Sequence, residues 1–395
     1  MLVGVEIGYD APQKAGSLQV LSLIFLRLVK TIVAPLLFGT LVTGIAGHPN
    51  LRQVGRVGVK CLLYFEVVTT LALLIGLGAI HLTKAGVGLR PPEAGGAPLG
   101  GVQTQSGSDI LLHAFPENIA KAVADGQILQ VVVFSVLFGI SVALLPEEKR
   151  RPLLAFCESL SAAMFRFTKI VMYFAPVGVG SAMAVTVGHL GVGILQNLLL
   201  LLLALYLALL ALILFVLLPI ALFAGVPIKA FLKAVAEPAS IAFATTSSEA
   251  ALPLAMERME EFGVPRSLVA FIMPTGYSFN MDGSSVYIAL ASIFVAQAAG
   301  IALSFPRELL IVFTLMLTSK GIAGVPRATL VILLGTAASF GLPEWPILAI
   351  LGVDSLMDMG RTSMNVVGNC LATVVIARWE GAYPPPAPAA ASPEA

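Results

Sequence analysis

The sequence predicts an all-α membrane protein built from spanning helices and two re-entrant helical hairpins. Of its 395 residues, 58% are hydrophobic and only 11% are charged, and the mean hydropathy is +0.95. Soluble domains carry about 25% charged residues, so this chain has too little polar surface to cover a water-soluble globule. Apolar runs of about 20 residues, enough to cross a bilayer, recur along the chain. Those in the C-terminal half are interrupted by polar, glycine-rich stretches.

Five uninterrupted apolar runs come first and predict an ordinary bundle of spanning helices: Leu18–Gly47, Val54–Leu82, Ile128–Leu145, Leu160–Val187 and Leu195–Gly225. The segment before the first run is too short and too polar for a signal peptide or a full span. A polar loop rich in glycine and proline follows the second run. The Pro/Ala-rich C-terminus predicts a disordered tail.

The second half of the chain has a different pattern. Ile228–Met256 contains the hydroxyl-rich stretch "EPASIAFATTSSEAALP", Phe271–Ala299 is broken by "PTGYSFNMDGSS", and Leu309–Leu342 is broken by "TSKGIAGVP". Non-helical backbone at membrane depth is tolerated only where protein or a water-filled cavity supplies its hydrogen-bond partners. Paired interruptions of this kind are typical of a transporter binding site near the bilayer midplane.

A last apolar run, Trp345–Ala377, carries a polar stripe. At about 100° per residue, six polar side chains fall on one face of a helix, and these are Asp354, Asp358, Arg361, Thr362, Asn365 and Asn369. A structural ion pair between Asp358 and Arg361, three residues apart, is the simpler interpretation, but it explains only two of the six. Since each intramembrane charge costs roughly 2.5–3.5 kcal/mol on insertion scales, the stripe predicts a functional site.

The residue types in the stripe indicate the ligand. An arginine fork matches a carboxylate, and an aspartate one turn away could receive an ammonium group. Together Arg361 and Asp358 would hold a molecule that carries both charges, such as an acidic amino acid.

Three further polar positions are candidates. Asp282, in "NMDG", lies in oxygen-rich, broken backbone suited to a monovalent cation, although a capped helix kink is the alternative. The stretch Ala244–Pro253 offers helix-start amides to an anion, or else a packing contact. Glu66 is a candidate proton relay, unless it pairs with Lys60.

Several classes of function are disfavoured. The net charge of +1 gives no field for nucleic acid, and the scattered cysteines predict neither disulfides nor a tightly bound metal. No hydrolase, metalloprotease or phosphate-binding motif is present, so we expect no enzyme and no ATP-driven transport. Basic residues at Lys229, Lys233 and Arg378 and in "EEKRR" mark the helix ends expected to be cytoplasmic.

Six stretches of the sequence resemble motifs of the glutamate transporter family. They are "ATTSSEAALP", "GYSFNMDGSSVY", "TSKGIAGVP", "DMGRTSMNVVGN", "TIVAPLLF" and "YFAPVGV". The family comprises the dicarboxylate/amino acid:cation symporters, and the likeness extends to bacterial proton-coupled glutamate/aspartate carriers. The resemblance covers almost the whole chain. It implies a homotrimer of elevator type, in which a scaffold domain holds the trimer and a transport domain slides across the bilayer. Each family protomer has eight spanning helices and two hairpins. Here we expect only the end of the first helix to be represented, and therefore seven complete spans.

The resemblance also implies a division of the chain. Residues 1–82 would hold scaffold and first transport helices, and residues 83–225 the remaining scaffold and transport helices. Residues 226–381 would form the core transport domain, with hairpin 1, a broken helix, hairpin 2 and the last helix. Residues 382–395 would be the tail.

The substrate roles implied by the resemblance agree with the chemistry of the stripe. Arg361 would bind the distal carboxylate and Asp358 the amino group. Hairpin 2 would be the gate, and the remaining substrate-binding positions would be Thr362, Asn365, Ser248, Ser284, Gly324 and Val325. Family members that carry C4-dicarboxylates lack an acid at the position of Asp358, so its presence favours acidic amino acids.

The coupling ion is less clearly indicated. Candidate cation or proton positions are Asp282, Asn280, Gly276, Ser278, Asn369, Asp354, Glu66 and Glu249. A family sodium site at Gly276, Asn280 and Asn365 also uses an acid where this chain has Asn369. Losing that carboxylate weakens a cation site and favours protons, with sodium as a second candidate ion.

The sequence therefore predicts a multi-pass secondary symporter in the cell inner (plasma) membrane that imports L-glutamate and L-aspartate. Its expected partners are the substrate, the lipid bilayer and two further copies of the chain, with no cofactor besides the coupling ion. The alternatives are a C4-dicarboxylate:cation symporter and, in another class, an anion channel or substrate-binding membrane receptor.

Overall fold

The computed structural model describes residues 2–47, 51–89, 115–124, 128–319 and 328–383. Within these ranges every regular element is helical, which confirms the predicted all-α class. The helices of the first half are α1 Leu2–Asp10, α2 Pro12–Ala15, α3 Gln19–Ala46, α4 Leu51–Thr83, α5 Ile119–Ala124, α6 Ile128–Ala143, α7 Glu147–Tyr173, α8 Ala175–Leu190, α9 Ile194–Leu212 and α10 Leu218–Phe223. The π-helical turn Ile213–Leu217 joins α9 to α10 without a break.

The second half contains shorter helices that are paired across breaks. Their bounds are α11 Ile228–Thr245, α12 Ser248–Glu261, α13 Arg266–Phe279, α14 Asp282–Ala298, α15 Phe305–Thr318, α16 Ala328–Ser339, α17 Trp345–Leu351 and α18 Asp354–Trp379.

Three stretches are long and apolar enough to cross a bilayer, namely Arg56–Thr83, Ile194–Phe223 and Arg266–Ala298. The pair α7–α8 would add a fourth, although it bends by 51°. These findings rest on helix length and composition within the described ranges. The other expected spans are shorter or interrupted helices, so the total of seven spans stays a prediction.

The predicted run Leu160–Val187 differs from the observed structure, because it is divided between α7 and α8 at Phe174. Pro176 lies in the first turn of α8. It has no N–H to donate back to the preceding turn, which accounts for the bend.

The breaks in the second half confirm most of the predicted interruptions. α11 and α12 form a helical hairpin that turns at Thr246, whose φ of 52° is left-handed, and at Ser247, which caps α12. α13 and α14 are separated by Asn280 and Met281. The interruption "TSKGIAGVP" begins where α15 ends, and residues 320–327 lie outside the described residues.

The predicted helix over Trp345–Ala377 is also divided, at Gly352 and Val353. Asp354 consequently becomes the first residue of α18. An acid in this position is favoured by the partial positive charge at a helix N-terminus.

The helices pack in two groups that alternate along the sequence. α3 packs against α6, α7 and α8, and α8 also covers α1 and α2. In the other group α14 is buried along nearly its whole length between α4, α18, α16 and α15. α18 also contacts α11, α12 and α13. The broken helix α13–α14 and the last helix α18 therefore meet at the centre of the second group.

An ion cluster joins α4 to the end of α18. Glu380 contacts Arg56 Nη2 and Lys60 Nζ, each at 2.5 Å, and Lys60 Nζ also donates to the main-chain oxygen of Trp379 at 2.9 Å. Lys60 thus pairs with Glu380, whereas the sequence suggests Glu66 as its partner. The ammonium of Lys60 and then the guanidinium of Arg56 hold the pKa of Glu380 below its ordinary value.

We expect Glu380→Gln to lower the thermal stability of the purified protein slightly at neutral pH. Arg56 is largely exposed, so solvent screening limits the contribution to about 1 kcal/mol or less. Because the folded-state pKa of Glu380 is lowered, its stabilisation exists above the unfolded value of about 4.3 and is lost as pH falls through the folded value. Thermal unfolding across pH should show the difference between wild type and variant at pH 7 and its loss in acid. Glu148→Gln, at an exposed glutamate, is the control, and a difference that persists in acid would contradict the ion-pair account.

Candidate functional site

The six residues of the predicted stripe lie together on α18, and all of them are buried. Arg361 is the largest fully buried side chain in the described part of the protein. A helix places positions 354, 358, 361, 365 and 369 on one face, and this face is turned towards the break between α13 and α14. The sequence pattern therefore correctly identified the inward face of α18.

Arg361 is held by both aspartates of the stripe. Its Nε donates to Asp358 Oδ1 at 2.8 Å and its Nη1 donates to Asp354 Oδ1 at 3.0 Å. Thr362 Oγ1 also donates to Asp358 Oδ1, at 3.0 Å. The ion pair that was the simpler interpretation of Asp358 and Arg361 is thus present, but it is part of a larger network that includes Asp354.

One donor of this guanidinium remains available. Among the described residues, the buried Arg361 Nη2 has no hydrogen-bond partner. Leaving a buried charged donor unsatisfied costs free energy. A carboxylate brought to Nη2 would therefore be bound strongly, which is the chemistry expected of a site for an anionic group.

Tyr287 is a site residue that the sequence analysis missed. The guanidinium of Arg361 lies 4.1 Å from the centre of the Tyr287 ring, and the Tyr287 hydroxyl donates to Asp354 Oδ1 at 3.1 Å. The ring thus supports the cation by a cation–π contact and orients one of its acids. The available signal was a tyrosine in the otherwise apolar run that follows "NMDG".

Asn365 caps the start of α14 from another helix. Its Oδ1 accepts from the main-chain N–H groups of Gly283 at 2.8 Å and Ser284 at 3.2 Å, and its Nδ2 donates to Ser284 Oγ at 3.0 Å. The first amides of a helix lack partners within the helix. Asn365 supplies them, so the broken helix is satisfied in the protein interior as a membrane setting requires.

One turn further along α18, Asn369 joins the same break. Its Nδ2 donates to the main-chain oxygens of Asn280 at 3.1 Å and Asn365 at 2.8 Å. The Asn280 side chain completes the group, since its Nδ2 lies 3.4 Å from Asn369 Oδ1 and 3.3 Å from Asp282 Oδ2. The predicted cation positions Asn280, Asp282 and Asn369 therefore form one buried polar cluster with Asn365.

Two glycines allow the helices to approach this closely. A Cβ at Gly276 would lie 1.9 Å from Asn369 Oδ1, and a Cβ at Gly368 would lie 2.1 Å from Asp282 Oδ2. Any side chain at these positions would displace the polar groups. Gly276 is thus suited to its position for a steric reason, and its role in cation coupling stays a prediction.

Comparison with known proteins bears on this arrangement. The family described as the sodium:dicarboxylate symporter family matches residues 1–379. The chain belongs to this family.

Similar curated proteins include the proton/glutamate-aspartate symporter of Escherichia coli, which is 42% identical over 90% of this chain and 84% of its own length. The proton/sodium-glutamate symport protein of Bacillus caldotenax is 38% identical over 97% of this chain and 93% of its own length. The C4-dicarboxylate transport protein of Laribacter hongkongensis is 40% identical over 97% of this chain and 88% of its own length. By their descriptions the family and these relatives are transporters.

The remaining predicted positions of this family member lie around the cluster. Ser248 is buried at the first residue of α12, and Glu249 follows it, half-buried. Glu66 is half-buried on α4. Ser278 belongs to α13, but its side chain is not described, and Gly324 and Val325 lie outside the described residues.

Among the described residues, no group of three or more histidine, cysteine, aspartate or glutamate side chains is arranged to hold a metal ion. In the described cluster the oxygens come mainly from asparagines, one aspartate and the main chain. Neutral amide and main-chain oxygens bind a cation more weakly than carboxylates do, and Asp282 is the protonatable side chain of this cluster.

We expect Gly368→Ala to disrupt the polar cluster of this family member. The added Cβ must push Asp282 away or separate α18 from α14, and overpacking of this kind costs roughly 1–3 kcal/mol. Thermal unfolding of the purified protein measures the loss. Gly78→Ala is the matched control, because a Cβ there meets nothing within 4 Å. Equal stability of the two variants would show that the close contact with Asp282 is not needed.

Proposed function

We propose that this chain is a secondary active symporter that imports L-glutamate and L-aspartate together with protons, driven by the proton gradient. The observation that carries the proposal is the buried pair of Asp358 and Arg361, with a spare guanidinium donor at Nη2. The names of the Escherichia coli and Bacillus caldotenax relatives support the same substrate class.

In the proposed binding step, the ion pair between Asp358 and Arg361 is replaced by two ion pairs with the substrate. The distal carboxylate of the substrate would bind Arg361, and its ammonium group would bind Asp358. Thr362, which already contacts Asp358, and Ser248 and Ser284 would complete the pocket. A substrate with both charges can therefore compensate both groups when their mutual contact loosens.

Charge balance explains why such a site needs a coupling cation. Asp354, Asp358 and Arg361 leave one net negative charge in the protein interior, and Asp282 lies nearby on α14. An acidic amino acid adds a further negative charge. Since buried charge is costly unless it is compensated, a proton or cation must accompany the substrate, with Glu66 and Glu249 as additional protonatable groups.

Asn369 favours the proton over sodium. Its Nδ2 already occupies the space between two main-chain oxygens, those of Asn280 and Asn365. An amide donor thus does what a bound cation would do for these oxygens. A sodium site at Gly276, Asn280 and Asn365 would need this donor to be displaced.

The wider assembly is proposed from the family. The chain would form a homotrimer in the inner membrane and cross the bilayer by an elevator movement of a transport domain. Residues 226–381 would supply the core of that domain, α11–α12 being hairpin 1 and α15–α16 hairpin 2. Gly324 and Val325, at the tip of hairpin 2, would close over the substrate.

We expect Asp358→Asn to impair transport of amino acids selectively. Removing one member of a buried charge pair costs about 2–5 kcal/mol, or at least about 30-fold in affinity. The apparent affinity for aspartate should fall by this amount, whereas inhibition by succinate should change much less. Competitive uptake in proteoliposomes checks this, with Asp10→Asn as the exposed control. Unaltered aspartate uptake would exclude the amino-group role of Asp358.

The same assay separates the alternative functions. A C4-dicarboxylate symporter, as in the Laribacter hongkongensis relative, would accumulate labelled succinate in preference to aspartate. An anion channel would give currents without accumulation against a gradient. Either result would replace the proposed function.

We expect Asn369→Asp to create sodium dependence. A carboxylate at this position cannot donate to the oxygens of Asn280 and Asn365, so it needs a cation to share with them. Sodium, compared with choline at equal ionic strength, should raise the melting temperature of the variant and leave the wild type unchanged. Uptake driven by a sodium gradient alone, with pH clamped, is the companion measurement. If the wild type is itself stabilised or driven by sodium, the proton assignment is wrong.

A further inference from the structure

A histidine–glutamate pair joins the end of α4 to the start of α15. His81 Nε2 lies 2.8 Å from Glu308 Oε2. The Glu308 side chain is only 8% exposed, whereas that of His81 is 49% exposed. A buried acid is thus satisfied by a partner that water and protons can reach.

The α4 side of this contact is firmly anchored. Asn197 Nδ2 donates to the main-chain oxygens of Ala85 at 2.7 Å and Val87 at 3.2 Å, just beyond the end of α4. Gln297 Oε1 accepts from Gly86 N at 3.1 Å. His81 therefore projects from a rigid support fixed to α9 and α14.

The α15 side is the base of hairpin 2. α15 also meets α4 about two turns further on, where Thr70 Oγ1 lies 3.4 Å from Met316 Sδ. That second contact is weak, since sulfur is a poor acceptor. Glu308 is therefore a buried polar attachment between the first arm of hairpin 2 and α4.

The contact depends on the charge of His81. Histidine changes its charge between pH 5 and 8, and a protonated imidazole makes a charge-assisted bond to a carboxylate. His81 lies in the last turn of α4, where the helix carbonyls favour a cation. A neutral imidazole keeps at most an ordinary hydrogen bond.

The other charged groups nearby are basic side chains. Lys84 follows the end of α4, and Arg307 precedes Glu308 and donates to the main-chain oxygen of Phe340 at 3.4 Å. Packed against α15, the helices α6 and α16 carry no titratable residue, and Asp282 lies at the far end of α14. Glu66 lies on α4 about 22 Å of helix before His81, so among the described residues His81 is the ionisable group that faces Glu308.

We propose that His81 and Glu308 form a proton-dependent latch that fixes the base of hairpin 2 to α4 in acid and releases it in alkali. The gating role of hairpin 2 rests on the proposed function. His81 is a positioning residue, because it acts on hairpin 2 through α15.

The His81–Glu308 pair lies on the outer side of the membrane, where a proton-driven importer is exposed to the more acidic solution. His81 lies 21 positions after Lys60, which corresponds to about 32 Å of helix, close to the roughly 30 Å hydrocarbon core of a bilayer. The Arg56–Lys60–Glu380 cluster marks the basic, cytoplasmic end. His81 is consequently at the outer face.

Two substitutions should reproduce the two states of the latch. His81→Lys keeps a permanent positive charge, and His81→Gln keeps a hydrogen-bonding group without charge. Hydrogen–deuterium exchange of the first turns of α15 is measured without substrate at pH 6 and pH 8 and corrected for the intrinsic rate. Wild type should match His81→Lys at pH 6 and His81→Gln at pH 8, with about fivefold slower exchange in the latched state.

Transport gives the second readout. Exchange of labelled for unlabelled aspartate across proteoliposomes at equal pH on both sides removes the driving gradient. The wild-type rate should again follow His81→Lys at pH 6 and His81→Gln at pH 8. His189→Gln, at an exposed histidine ending α8, is the matched control and should behave as wild type.

The outcomes are distinct. If the lysine and glutamine variants show equal protection of α15, or if wild type follows the same variant at both pH values, the latch is refuted. Glu308→Gln provides an independent variant and should remove the pH dependence of exchange in the presence of His81. Absence of aspartate transport in every variant, with pH-dependent protection of α15 intact, would instead overturn the proposed function and leave the latch standing.

Discussion

The structure depends above all on burying the guanidinium of Arg361. A charge in this position is tolerated only when it is paired and hydrogen-bonded, and Asp354 and Asp358 supply both requirements. The Tyr287 ring covers the face of the cation and holds Asp354 in place. Because Tyr287 belongs to α14 and the other three to α18, this network fixes the two helices against one another and places the start of α14 opposite Asn365.

The break between α13 and α14 follows from the same packing. Its unpaired main-chain groups need partners in the protein interior, and the amides of Asn365 and Asn369 provide them. Gly276 and Gly368 leave the room that these contacts require. Polar groups thus run continuously along α18 from the guanidinium to the helix break. Under the proposed function, substrate and coupling ion would take adjoining positions along them.

Much of this could be predicted from local sequence, and the remainder depends on distant contacts. Helical periodicity was sufficient to place the stripe on α18. A hydroxyl-rich stretch located the break after Thr245, and a polar stretch with two glycines located the break after Phe279. The bend at Phe174 and the break before Asp354 were missed, since a proline or glycine in an apolar run does not by itself reveal where a helix ends. Pairing partners such as Tyr287 for Arg361 join helices far apart in sequence and could not be derived from spacing.

The internal pairing of Arg361 also constrains which ligands can enter. A dicarboxylate without an amino group could occupy Nη2, but it would leave Asp358 either attached to the guanidinium or buried without a cation. Under the proposed function, an acidic amino acid would offer a carboxylate to Arg361 and an ammonium group to Asp358, so the charge of both residues would stay compensated at each stage of binding. Selectivity of this kind arises from the cost of leaving Asp358 unpaired, a cost that only a ligand with both charges avoids.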